Sequence, residues 1–196
     1  MGFLKNIRDV FDLNIQPELY KDILHLKHKD YRMIELMYKD NELYFINEIK
    51  RLTSLNHEIL QADTWKDNAD GRKKTSETLS LRISMEVITD LFAEAGMKRV
   101  SKFYKEGVGL LENDPSVTGF GSNKFAVVCE VDNGFLQHIW ITGNLKKAHL
   151  KNKLCSALSR LGNNHDFIIV NWTKCKYNYL YYPDDVTDFV ERGIYI

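Results

Sequence analysis

Asn133-Gly134 stands between two β-rich runs, FAVVCEVD at 125–132 and FLQHIWI at 135–141. No other short signal in the chain is as restrictive. Both residues accept the positive φ of a type I′ turn, whose twist matches that of paired strands. The chain is therefore predicted to build around one antiparallel hairpin at about 124–142. Counting outward from the turn sets Asp132 opposite Phe135, Val131 opposite Leu136 and Glu130 opposite Gln137.

A helix over about 144–161 follows, with Leu150, Leu154, Ala157, Leu158 and Leu161 on one stripe and Gly162 at its end. It reads as a crossover to a β-branched strand at 166–172, after which 176–182 reads as another strand. Pro183, Asp184, Asp185 and Asp188 open a last short helix, where carboxylates complement the positive end of the helix dipole.

The first hundred residues carry helical spacing instead. Leu4, Ile7, Val10 and Phe11 mark one helix over 3–12. Tyr20, Leu24, Tyr31, Ile34 and Tyr38 mark a second within 18–39, with a break near Lys29. Phe45, Ile49, Leu52 and Ile59 mark a third over 41–61, and Leu81, Met85, Ile88, Phe92 and Ala95 a fourth, capped by Gly96. Residues 63–74 read as a polar loop, 100–111 as strand in part, and 113–123 as a turn-rich loop. The expected class is α+β: a helical N-terminal half packed on a small C-terminal mixed sheet. A single domain over 1–196 is expected, with a subdivision at 1–96 and 97–196.

A chain of 196 residues hides roughly 70% of its extended surface and needs neither metal nor disulfide to fold. Cys129, Cys155 and Cys175 are odd in number, with no CxxC spacing, so they read as buried free thiols of a reducing, cytoplasmic protein. No apolar run approaches the roughly 18 residues that cross a bilayer, so no membrane partner is expected.

The 27 basic and 27 acidic residues sum to zero, which excludes a chain that is basic all over. Resolved along the sequence, the balance breaks. Residues 144–182 hold Lys146, Lys147, Lys151, Lys153, Arg160, Lys174 and Lys176 against Asp166 alone. On a helical wheel Lys146, His149, Lys153 and Arg160 fall opposite the leucine stripe, a face suited to an anionic partner. Beyond it, Tyr177, Tyr179 and Tyr181 alternate and share one strand face, which could stack bases or anchor a protein. The competing expectation is that this face packs under a helix with its hydroxyls at the rim.

Glu130, Asp132 and Gln137 would share one face of the hairpin and could hold a cation through oxygen. The element order resembles that of the restriction-endonuclease-like nuclease core, which implies an acid on one strand and an acid-x-Lys triplet on the next. Here the second strand reads Gln137-His138-Ile139 with no lysine. His25 and His28 are three apart but have no third ligand in sequence. The GFGS run at 119–122 lacks the Gly-Lys of a phosphate loop, and no nucleophile elbow or zinc-protease motif occurs. No catalytic residue, metal or cofactor is assigned.

The function expected is that of a non-catalytic cytosolic binding protein, of immunity, antitoxin or inhibitor type. It would meet one macromolecular partner, a protein, through Lys146, His149, Lys153, Arg160, Lys174 and Lys176 with Tyr177, Tyr179 and Tyr181. The alternative is a nucleic-acid-binding or nuclease-like protein with a degenerate nuclease core.

Overall fold

The computed structural model describes residues 23–27, 30–55 and 83–193. The expected helix over 3–12 and the polar loop over 63–74 lie outside them.

The hairpin forms as β7 (Phe125–Asp132) and β8 (Phe135–Gly143). Asn133 and Gly134 take φ of 50° and 80°, the left-handed pair that a type I′ turn requires. Around it stands a seven-stranded sheet in the order β10-β9-β2-β8-β7-β6-β3. Its other strands are β2 (Ile34–Tyr38), β3 (Arg99–Val100), β6 (Val117–Ser122), β9 (Phe167–Asn171) and β10 (Lys176–Tyr179). Every neighbouring pair is antiparallel. A second sheet joins β1 (Leu24–Leu26), β4 (Lys102–Lys105) and β5 (Gly109–Glu112). Among the described residues four α-helices accompany them: α1 (Glu42–Leu55), α2 (Met85–Glu94), α3 (Ala148–Asn164) and α4 (Pro183–Asp188).

This overturns the expected class. The principal sheet is neither small, nor mixed, nor confined to the C-terminal half, and the helices do not form an N-terminal layer. The decisive element is β2, read from sequence as part of a helix over 18–39. It lies between β8 and β9, pairing Glu35 with Trp140 on one side and Val170 on the other. All five of its residues are buried, because both faces of the sheet are covered. Residues 113–123, expected as loop, contain β6.

One face carries Ile34, Leu36, Phe125, Val127, Ile139, Ile141, Phe167 and Ile169 beneath α2, α3 and α4. Helix α3 joins β8 to β9 across β2, as the expected crossover does, and turns Leu154, Ala157, Leu158 and Leu161 inward. Full burial of one such leucine stabilises by about 1.5–3 kcal/mol. The other face is covered in two parts. Helix α1 sets Phe45 over Met33, Met37, Ile168, Val170 and Trp172. The small sheet sets Leu24, Leu26 and Phe103 over Val117, Ala126, Val128 and Trp140.

One row of paired residues crosses all seven strands: Tyr177, Val170, Glu35, Trp140, Val128, Gly119 and Val100. Glu35 sits in this row on the seam between the two covers. Arg32 Nε meets its Oε2 at 2.6 Å, and Trp172 Nε1 donates to its Oε1 at 2.7 Å. A buried charge is tolerable only with such partners. Gly119 in the same row leaves room for Phe103, whose ring would lie 3.1 Å from an added Cβ.

Candidate functional site

The basic segment divides in two. Lys153 Nζ donates to Gly96 O at 2.7 Å, a cation on the carbonyl end of α2. Arg160 pairs with Glu94, Lys151 with Glu191 at 2.5 Å, and Lys174 Nζ donates to Arg192 O at 2.6 Å. These contacts tie α3 and the turn before β10 to their neighbours. Lys146, Lys147 and His149 remain exposed at the start of α3.

There they meet residues from elsewhere in the chain. A cleft of about 620 Å³ lies between the end of α2, the β6–β7 turn and the first turns of α3. Lys98, Lys124, Lys146, Lys147, His149 and Lys153 line it, with no aspartate or glutamate among the described lining residues. The backbone brings them together. Gly96 takes φ of 72° and ends α2, with Met97 N–H closing on Phe92 O at 2.9 Å, which turns the chain toward Lys98. Asn144 N–H bonds Lys124 O at 2.9 Å, fixing the β6–β7 turn beside the approach to α3. The first turn of α3 has no acidic residue and no side-chain cap, so its amide N–H groups add to the positive field.

The tyrosines lie elsewhere. Tyr177 and Tyr179 share a face, as their alternation predicts, and that face packs beneath α1. Both hydroxyls donate to Glu42 Oε1, at 2.5 and 2.8 Å. These bonds, the one from Tyr177 foremost, hold the Glu42 carboxyl below the usual carboxylate range. The competing expectation describes these two residues correctly. Tyr181 lies past the strand and is exposed, as is Lys176. Helix α3 covers the opposite face of the sheet, so Lys146, His149 and Lys153 are not brought together with Tyr177 and Tyr179.

The hairpin acids do not assemble as counted. A bulge between Glu130 and Val131 sets Glu130 opposite His138 and leaves Gln137 as the extra residue. The turn fixes the two nearest pairs and the bulge shifts the rest by one. Glu130 Oε2 accepts from Tyr31 Oη at 2.9 Å, while Asp132 Oδ1 accepts from Asn133 at 3.1 Å. Among the described residues no group of three His, Cys, Asp or Glu side chains could hold a metal. His25 stands on β1 with its ring 5.5 Å from Tyr104, and His28 is outside the described residues.

A second cleft, of about 730 Å³, opens over this part of the hairpin where the small sheet diverges from it. Burial first, and the Arg32 charge second, push the His138 imidazole down to about 4, so it is neutral at pH 7. Desolvation and then Glu130 push the Tyr31 phenol up to about 12. Sequence reading missed Tyr31 and Trp140 here, and Lys98 and Lys124 in the basic cleft. Lys98 closely follows the glycine that ends α2, and Lys124 sits in the two-residue β6–β7 turn with Asn123; these turn positions are the one local signal that could have drawn notice.

Among the described residues no helix is long and apolar enough to cross a membrane. Compared with protein-family models, curated proteins and solved structures, the chain matches none.

Proposed function

We propose that the protein is a non-catalytic binding protein, of inhibitor, immunity or antitoxin kind, whose basic cleft takes an acidic segment of one partner protein. The carrying observation is the ring of Lys98, Lys124, Lys146, Lys147, Lys153 and His149 around one concavity with no carboxylate among its described lining residues, in a chain of zero net charge. Like charges gathered in a concave wall repel one another, and an anion relieves that repulsion while low-dielectric walls focus the field on it. The free thiols Cys129, Cys155 and Cys175 fit a cytoplasmic setting.

An acidic peptide suits this arrangement better than nucleic acid. The cations surround one concavity and do not form a track, since Arg160 and Lys151 further along α3 are paired with Glu94 and Glu191. The tyrosine face that could stack bases is covered by α1. The test is fluorescence anisotropy of a labelled oligo-glutamate peptide, with a single-stranded oligonucleotide as competitor. Saturable, salt-sensitive peptide binding supports the reading. Lys124→Glu with Lys146→Glu is expected to weaken it by roughly a hundredfold. Tighter binding of the oligonucleotide, or indifference to the charge reversal, contradicts it.

A further inference from the structure

The cleft over the hairpin is built differently from the basic one. Its floor is apolar and aromatic: Trp140, Leu26, Leu111 and Val117. Its inner wall is polar, formed by Tyr31, Glu130 and His138, with the Gln137 amide presented by the bulge. At about 730 Å³ it falls inside the range of roughly 300–1,000 Å³ typical of small-molecule sites. It lies where two sheets diverge, so it is a slot, and the Tyr31 and Trp140 rings meet edge to face with centroids 5.3 Å apart. We propose that this slot binds an uncharged planar heterocycle that carries both a hydrogen-bond donor and an acceptor.

Charge of either sign is disfavoured. The Glu130 carboxylate opposes an anion. Burial and the Arg32 charge keep His138 from taking a proton, and the same two causes penalise any cation set beside it. The mouth is balanced, with Lys27 and Lys105 against Glu106 and Asp132. Hydrogen-bonding capacity is nonetheless high. The Gln137 amide, presented at the bulge, offers both a donor and an acceptor. The Trp140 Nε1–H is buried with no acceptor among the described residues. Trp140 is held between Glu35 and Val128 in the row that crosses the sheet, which makes the floor rigid.

The test is a ¹H–¹⁵N correlation spectrum of the whole chain, in which Trp65, Trp140 and Trp172 give three indole signals assigned with Trp140→Phe. The probes are adenine, uracil and nicotinamide at millimolar concentration. Toluene, benzoate and benzylamine are the apolar, anionic and cationic comparisons. Expected is a saturable shift of the Trp140 indole and of the Glu130 and His138 amides with at least one heterocycle. The three comparison compounds are expected to bind roughly tenfold weaker or less. Ser116→Phe, a plug from an exposed position on the rim, is expected to abolish the shifts in a chain whose spectrum is otherwise folded. The proposal is overturned if no heterocycle shifts Trp140, if any comparison compound binds as tightly, or if Ser116→Phe leaves the shifts intact.

Discussion

Replacing Glu35 by glutamine tests how the sheet is put together at its centre. Glu35 is 1% exposed and Arg32 3%. The amide keeps the size of the side chain and an acceptor for Trp172 Nε1, and removes only the charge that Arg32 Nε meets at 2.6 Å. Stripping one partner from a buried ion pair costs about 3–5 kcal/mol, because the remaining charge stays buried. That is a large share of the roughly 5–15 kcal/mol that holds a domain folded. In a chain of this length each kcal/mol moves Tm by about 2–4 °C, so Glu35→Gln is expected to lower Tm by roughly 6–20 °C. The companion is Arg32→Met with Glu35→Gln, which leaves no lone charge and regains most of the loss. Calorimetry or circular-dichroism melting reads both. A single variant within about 1 kcal/mol of wild type, or a double variant no better than the single, refutes a buried pair on the seam.

Other consequences are independent of that pair. A Cβ on Gly162 would collide with the Leu180 carbonyl, so Gly162→Ala should lose about 1–3 kcal/mol, seen as a lower urea midpoint at unchanged slope. The folded state holds His138 neutral down to about 4, whereas in the unfolded chain it titrates near 6.5. Between those values the unfolded chain takes up the proton first, so stability falls as pH drops from about 6.5 toward 4. His138→Gln should flatten that part of the denaturation profile. Glu42 has a lowered pKa owing to Tyr177 and then Tyr179. Its contribution is therefore present above the ordinary carboxylate range and is lost as pH falls through the lowered value. Tyr177→Phe with Tyr179→Phe should return the Glu42 titration, followed by carboxyl ¹³C shifts, toward its ordinary position.

What could be read from the sequence was what is encoded locally. The Asn133-Gly134 turn, the leucine stripe of α3 and the glycine cap of α2 each carry their own signal within a few residues. Strand β2 does not. Ile34, Leu36 and Tyr38 point to one face and Met33, Glu35 and Met37 to the other, and both faces are covered. A strand buried on both sides loses the alternation that identifies a strand, and the spacing of Tyr31, Ile34 and Tyr38 then fits a helix. Strand β6 was hidden because Gly119 and Gly121 look like turn residues; Gly119 is there to admit Phe103. The bulge at Gln137 shifts Glu130 by one partner, a choice that no turn residue announces. The charge asymmetry of 144–182 was legible, but the cleft that gives it shape needs Lys98 and Lys124 from distant segments.

In the function proposed for this protein the basic concavity, and not the tyrosine strand or the hairpin slot, receives the acidic partner. Backbone amide shifts mapped while an oligo-glutamate peptide is added decide between these three surfaces. Saturable shifts confined to the neighbourhoods of Lys98, Lys124, Lys146 and His149, fading as salt is raised, are expected. Shifts centred instead on Tyr177 to Tyr181 or on Glu130 and His138, or none at low salt, would contradict the proposed function.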